Sequence, residues 1–435
     1  MIEKGTRKIW YRRYDATIQV TDKVNSFSLK DFTSALSLFK DSGQNHLTLD
    51  FSKVTHAYPN GMLAIVATIE KLRFDKKTVY VKLPSNNNTR KLFRSVNWAH
   101  YLSPTQFEKS ESQHDRHLVT RVFRDEKEQK RVVDDFMEVV LRSMEVPKDI
   151  ISGLEWSINE ITDNVLNHSD SPIGGFVQAS TYPKNGQIAF AVADAGRGIL
   201  NSLREGIPTL RTDMQAIGEA VKAGVTRNPK FGQGNGLAGS LRVTTQSGGS
   251  FEITSGSGRV VTTPDDTERH PRLPYQYYQG TLVCGQIHIS NQFSIVKALD
   301  FGTGVDYAPV DIIEMHYEME DKDCLILKMT DETTGFGTRR SGVQIRTKIN
   351  NLLAARPDYP LVLDWSGVPV ISSSFADEVV GKLFLKLGAI AFSSRIRNTG
   401  MELLIRRLLD KAVAQRLTQA KDDSDDEVSN EEQVA

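Results

Sequence analysis

The chain has 435 residues, with 54 lysines and arginines against 54 aspartates and glutamates and a formal net charge of zero. That length excludes a single domain and predicts two or three, each with its own core; the neutral balance gives no argument for nucleic acid or an anionic membrane. Two distant cysteines, Cys284 and Cys324, exclude a disulfide framework or a zinc site. No segment is long and apolar enough to span a bilayer and the N-terminus lacks the apolar core of a signal peptide, so a cytoplasmic protein is expected.

In chain order, Arg7-Lys-Ile-Trp-Tyr-Arg-Arg13 is a basic run of the kind that coats a solvated edge. Leu47-Thr-Leu-Asp-Phe-Ser-Lys-Val54 alternates as a strand that ends in aspartate and serine, and an apolar helix over 62–73 follows. Residues 101–114 are polar and aperiodic, a join between domains. Val132, Val133, Phe136, Val139 and Val140 then predict a helix that ends before Pro147 and serves either dimerisation or packing on its own domain.

Leu154, Ile158, Ile161 and Val165 follow helical spacing and would bury one stripe. Glu160, Asn164 and His168, at i, i+4 and i+8, form a second, polar stripe beside it. Such an edge either faces solvent or lines a semi-buried pocket, where a carboxylate can act as a base and an amide oxygen can hold a metal ion. Gln187 to Ala193 reads as a strand, since Ile188, Phe190 and Val192 alternate with alanines. Asp194-Ala-Gly-Arg-Gly198 stands at its exit, where Asp194 could accept from an exocyclic amine and Gly196 and Gly198 would let backbone approach a flat ring.

Gly232-Gln-Gly-Asn-Gly-Leu-Ala-Gly239 opens into a helix over 237–245 whose first amides point at an anion. Its glycines also satisfy the dinucleotide pattern, but no strand precedes them, and the Walker pattern is absent. Thr262 to Pro274 reads as an exposed loop between strands, and Gly280-Thr-Leu-Val-Cys-Gly-Gln-Ile-His-Ile289 as a further strand. Leu361-Val-Leu-Asp-Trp-Ser-Gly-Val368 repeats the motif of 47–54 and is followed by an apolar helix over 375–387. The acidic stretch 421–435 has hardly an apolar residue and should be disordered.

The order and separation of the central motifs resemble the ATP-binding domain shared by gyrase B, Hsp90, sensor histidine kinases and MutL, the GHKL superfamily, over about 126–291. By position, the resemblance implies that Glu160 is the base acting on water or a hydroxyl, Asn164 the magnesium ligand and Asp194 the adenine contact. Gly196 and Gly198 would line the ring, while Gly232, Gly234, Gly236 and Leu237 would cradle phosphates and Thr281 would help to fix the adenine. Residues 199–231 would be a lid, with Arg227 and Lys230 as candidates to meet the γ-phosphate. ATP and Mg2+ are the implied cofactors.

The repeated strand, loop and helix resemble the STAS fold of anti-sigma-factor antagonists, in which a loop serine is phosphorylated by a GHKL-type kinase. In the C-terminal copy, Ile371-Ser-Ser-Ser-Phe-Ala-Asp-Glu378 places Ser374 at the phosphoacceptor position, with helix capping as the alternative role. The N-terminal copy has Asn60 there, so it would be a docking domain.

The expected architecture is α/β: a STAS-like domain over 1–110, an α+β sandwich ATP-binding domain over 115–291, a C-terminal STAS-like domain over 295–412 and a tail over 420–435. The expected function is ATP-driven switching, by hydrolysis or by transfer to a serine, of STAS-like domains that bind a partner protein, with homodimerisation possible. A non-catalytic ATP sensor is the alternative. A histidine kinase is disfavoured, because the helix before Glu145 carries no histidine.

Overall fold

The structure, a computed structural model, describes residues 8–110, 115–224, 235–289, 292–302, 309, 311–319, 322–333 and 335–431, with side chains described as far as 418. Contacts divide the chain into two units, Met1–Val139 with Asp149–Pro309 and Val140–Lys148 with Val310–Ala435. Both are mixed α/β, as the sequence predicts.

The first unit opens with β1 (Ile9–Arg12), β2 (Thr17–Val24), α1 (Leu29–Asp41), β3 (His46–Ala57), α2 (Pro59–Phe74), β4 (Thr78–Lys82), α3 (Asn87–Ser95) and α4 (Trp98–Leu102). Its sheet runs β1-β2-β3-β4, antiparallel at the first pair and parallel at the other two. A second sheet joins β5 (His117–Phe123), β6 (Gly175–Tyr182), β7 (Gln187–Asp194), β8 (Ser250–Gly256), β9 (Gly258–Thr262), β10 (Thr267–Pro271) and β11 (Tyr278–His288). Its order is β10-β9-β8-β11-β7-β6-β5, antiparallel throughout. The helices here are α5 (Glu126–Ser143), α6 (Lys148–His168), α7 (Gly198–Leu203), α8 (Asp213–Ala220), α9 (Gly236–Gln246) and α10 (Ile295–Ala298), and the boundary between the units falls inside α5.

One continuous core joins the two sheets of this unit. Residues 62–67 of α2 are all fully buried, because α2 lies between its own sheet and the seven-stranded one and has no solvent face to make polar. The alternation along β7 follows from the same placement. Ala191 and Ala193 turn toward α2 and, being small, let a helix approach; Phe190 turns the other way and meets Phe136 of α5 with ring centroids 6.3 Å apart. Trp98 donates its indole N–H to Gln178 on β6 (2.8 Å), so α4 is fixed to the second sheet by a satisfied buried polar contact.

The second unit contains α11 (Ile312–Tyr317), β12 (Glu318–Met319), β13 (Cys324–Lys328), α12 (Met329–Glu332), α13 (Arg339–Ala355) and β14 (Leu361–Asp364). Then come α14 (Ser373–Ala376), a π-helical turn (Asp377–Gly381), α15 (Lys382–Leu387), α16 (Ala389–Arg395), β15 (Ile396–Thr399) and α17 (Leu403–Glu431). The sheet runs β12-β13-β14-β15, antiparallel and then twice parallel, the same sequence of directions as β1-β2-β3-β4. The repeated motif falls on the third strand of each sheet. Asp50 and Asp364 both accept from the backbone N–H two residues on, Ser52 at 2.9 Å and Ser366 at 3.0 Å, and both carboxyls are held below the usual range.

Within this unit the buried Asn351 of α13 closes the end of α5. Its amide donates to the Leu141 and Met144 carbonyls (2.8 and 2.9 Å) and its oxygen accepts from Val146 N–H (2.8 Å), satisfying groups that a helix terminus leaves unpaired.

Three expectations change. The strand of 47–54 does not end at Asp50: β3 continues to Ala57 because β2 keeps pairing with it after β4 stops at Asp50. Residues 262–274 are not one loop, since β10 pairs with β9 after a tight turn in which Thr263 N–H donates to the Asp266 carbonyl (2.8 Å). The stretch from 420, expected to be disordered, continues α17 to Glu431. No helix among the described residues is long and apolar enough to cross a membrane.

Candidate functional site

Leu154, Ile158, Ile161 and Val165 of α6 are buried, and Glu160, Asn164 and His168 form a half-buried edge beside them. Burial, with a smaller push from Asp163, raises the Glu160 carboxyl above its ordinary value and so makes it a stronger base. Gln129 of α5 steadies this part of α6 by donating to the Asn159 carbonyl (3.3 Å) and the Thr162 hydroxyl (2.9 Å).

The N-terminus of α9 comes down on this edge. A Cβ placed on Gly236 would collide with Oε2 of Glu160 and lie 3.4 Å from Nδ2 of Asn164. A Cβ on Gly239, one turn on, would run into the Trp156 ring. The two glycines therefore share the face of α9 that lies against α6, and Gly239 serves packing. Ahead of α9, Gly224 N–H donates to Oδ1 of Asn235 (2.9 Å), joining the ends of the intervening segment. Arg227, Lys230, Gly232 and Gly234 lie outside the described residues.

Asp194 ends β7 with a fully buried side chain, and burial pushes its carboxyl up to about 7 against the opposing N–H groups of Gly196 and Thr281. Gly196 N–H donates to Oδ1 at 2.8 Å. Thr281 is brought here by the β11–β7 register, which pairs Leu282 with Ala193. Gly280 precedes it at φ +112°, and a Cβ there would lie 2.8 Å from Cα of Ala195, so only glycine fits. Tyr278 donates to the Asp194 carbonyl (2.6 Å); the Ser255 hydroxyl donates to the Gly280 carbonyl (2.9 Å) and accepts from Ile199 N–H (3.0 Å).

The Asp194 turn is tied to the end of α6. Arg197 donates through its backbone N–H to the Ser169 carbonyl (2.8 Å) and through Nε to the His168 carbonyl (3.1 Å). A Cβ on Gly196 would collide with that same Ser169 carbonyl. Residue 168 thus contributes backbone to the site. Glu160, Asn164, Asp194, Gly196, Gly198, Gly236, Leu237 and Thr281 belong to one set of joined elements: a raised carboxyl beside an amide, a helix N-terminus closing over both, and a buried carboxyl at a strand exit.

Tyr278, Ser255 and Asn235 were not legible as supports. Their roles depend on strand register and on the contact between Gly224 and Asn235, and no local pattern marks either. Ser374 belongs to the second unit. There the helix cap belongs to Ser372, whose hydroxyl accepts from Phe375 N–H (3.1 Å); Ser374 is half-buried with its hydroxyl 3.0 Å from that of Ser372. Asn60 occupies the corresponding place behind Pro59, the first residue of α2.

No curated protein matches the chain. Residues 341–404, from α13 through β14 and β15 to the start of α17, match the family model described as a STAS-like domain of unknown function (DUF4325).

Proposed function

We propose that this chain is a magnesium–ATP-dependent regulatory protein whose central part is a GHKL-type nucleotide domain and whose two four-stranded modules are STAS-like protein-binding domains. The observation that carries the reading is the approach of Gly236 to Glu160 and Asn164, which joins two motifs far apart in sequence at one place. The residues suit the cofactor. The amides at the start of α9 favour an anion, and the Asn164 oxygen is a single hard ligand of the kind magnesium takes while drawing its others from phosphate and water. Among the described residues no cluster of three or more His, Cys, Asp or Glu offers an all-protein cage, which agrees with a metal that arrives with its nucleotide. Asp194, when ionised, accepts from the exocyclic amine of adenine, and Thr281 stands beside it.

Magnesium–ATP supplies the transferable phosphoryl group and neutralises its charge. Glu160, with its raised carboxyl, takes the proton from the attacking water or hydroxyl. Asn164 and the α9 amides orient the phosphates. The Asp194 turn, tied to α6 at Ser169 and to β11 at Tyr278, sets the distance between base and adenine contact. Because β7 rests on α2, a change at Asp194 reaches the first STAS-like module through packed alanines rather than through a linker.

Hydrolysis is the first reading and phosphotransfer to a serine the second. The second is favoured by one observation: Ser372 takes the capping role, so Ser374 is not needed for it. Incubation with γ-labelled ATP and magnesium separates the two, using wild type, Glu160→Ala and Ser374→Ala. Free phosphate that depends on Glu160, with no label on protein, supports the ATPase. Label on wild type that Ser374→Ala abolishes supports the kinase. The absence of both signals would reject catalysis.

A further inference from the structure

A pocket of about 340 Å³ lies in the first unit between the start of α1 and the β9–β10 hairpin, and five basic side chains line it: Lys30, Arg259, Arg269, His270 and Arg272. Two already have carboxylate contacts. Arg259 pairs with Glu252 (2.8 Å), donates to the Ser26 hydroxyl (3.3 Å) and lies 4.0 Å over the Phe27 ring; His270 pairs with Glu268 (2.9 Å). Lys30, Arg269 and Arg272 make no ion pair among the described residues, although the Glu252 carboxylate that pairs with Arg259 also acts on Arg272 at longer range, and no carboxylate lines the pocket.

Arg272 is the telling member. Its Nη1 is buried without a hydrogen-bond partner among the described residues, and burial together with the neighbouring Arg259 charge brings the guanidinium down to about 10. A partly buried cation beside another cation is costly unless an anion completes it. Arg259 is held rigidly by its carboxylate, serine and ring contacts, so the wall of the pocket is preorganised.

We propose that this pocket is a second anion site, separate from the α6–α9 edge, that binds a diphosphate group. Three unpaired cations match the charge of a diphosphate better than that of a single phosphate, and guanidinium forks suit adjacent phosphoryl oxygens. The concave shape favours a small ligand over a nucleic-acid backbone, whose phosphates need an extended track. The site binds α1 of the first four-stranded module to the hairpin of the seven-stranded sheet, so its ligand would brace one against the other.

The test is calorimetric titration of the full chain with sodium pyrophosphate in EDTA, which removes the metal, using wild type, Arg272→Gln, Arg269→Gln and Asn164→Ala. Saturable 1:1 binding is expected, with affinity lowered at least about tenfold in Arg272→Gln and Arg269→Gln and unchanged in Asn164→Ala. Arg269 is exposed, so its replacement carries the test if Arg272→Gln does not fold. An ADP titration distinguishes the sources: Arg272-dependent binding tighter than pyrophosphate points to a nucleotide, and weaker binding to free polyphosphate. The proposal is overturned by the absence of wild-type binding, by equal affinity in both arginine variants, or by loss in Asn164→Ala alone. Orthophosphate binding as tightly as pyrophosphate, or an oligonucleotide of equal charge binding more tightly, would also overturn it.

Discussion

Replacing Asp194 by asparagine removes a carboxyl that the fold holds away from water. In the folded chain this group is pushed from 3.8 to about 7, chiefly by burial. The folded state therefore keeps a proton that the unfolded chain releases near pH 4, and stability falls as pH rises through that interval, levelling off above about 7. The full effect is about 4 kcal/mol, of which roughly 2 to 3 kcal/mol falls between about pH 5 and pH 8. Asparagine keeps an oxygen for Gly196 N–H and does not titrate. Urea denaturation followed by the fluorescence of the four tryptophans should show Asp194→Asn gaining on wild type by roughly 2 to 3 kcal/mol between those two pH values. An unchanged difference at the two pH values would refute the claim that Asp194 is buried and protonated in this way.

Gly236→Ala drives a methyl group against Oε2 of Glu160, so the carboxylate must move; phosphate release should fall at least about tenfold, while the melting temperature moves much less. Ser372→Ala should cost about 1 kcal/mol of stability because it removes the cap of α14, whereas Ser374→Ala should cost clearly less; denaturant midpoints of the two variants check the order. Asn351→Ala leaves two carbonyls and one N–H at the end of α5 without their partner and should destabilise by about 3 kcal/mol or more, read from the urea transition of the full chain.

The stripe on α6, the strand before Asp194 and the start of α9 were legible in the sequence because periodicity and glycine placement are local signals. The repeat was legible for another reason: identical positions on the third strands of the two small sheets need the same aspartate turn, made by Asp50 with Ser52 and by Asp364 with Ser366. The merging of the first module with the seven-stranded sheet was not legible. The evenly apolar α2 suggested only a buried helix, and nothing local tells a helix under one sheet from a helix between two. The β10 strand is not legible because Thr267–Pro271 is polar and ends in proline, the composition of an edge strand as much as of a loop. The cap falls at Ser372 rather than Ser374 because α14 begins at Ser373, a boundary set by chain geometry and not by residue type among three consecutive serines.

The central claim is that α6 and α9 together hold magnesium–ATP. Equilibrium binding of ATP in the presence of magnesium, compared between wild type and Asn164→Ala, tests it most directly. Saturable binding by wild type is expected, with affinity at least about tenfold weaker in Asn164→Ala and Glu160→Ala still binding. Equal affinity of Asn164→Ala and wild type, or no binding by wild type at all, would contradict it.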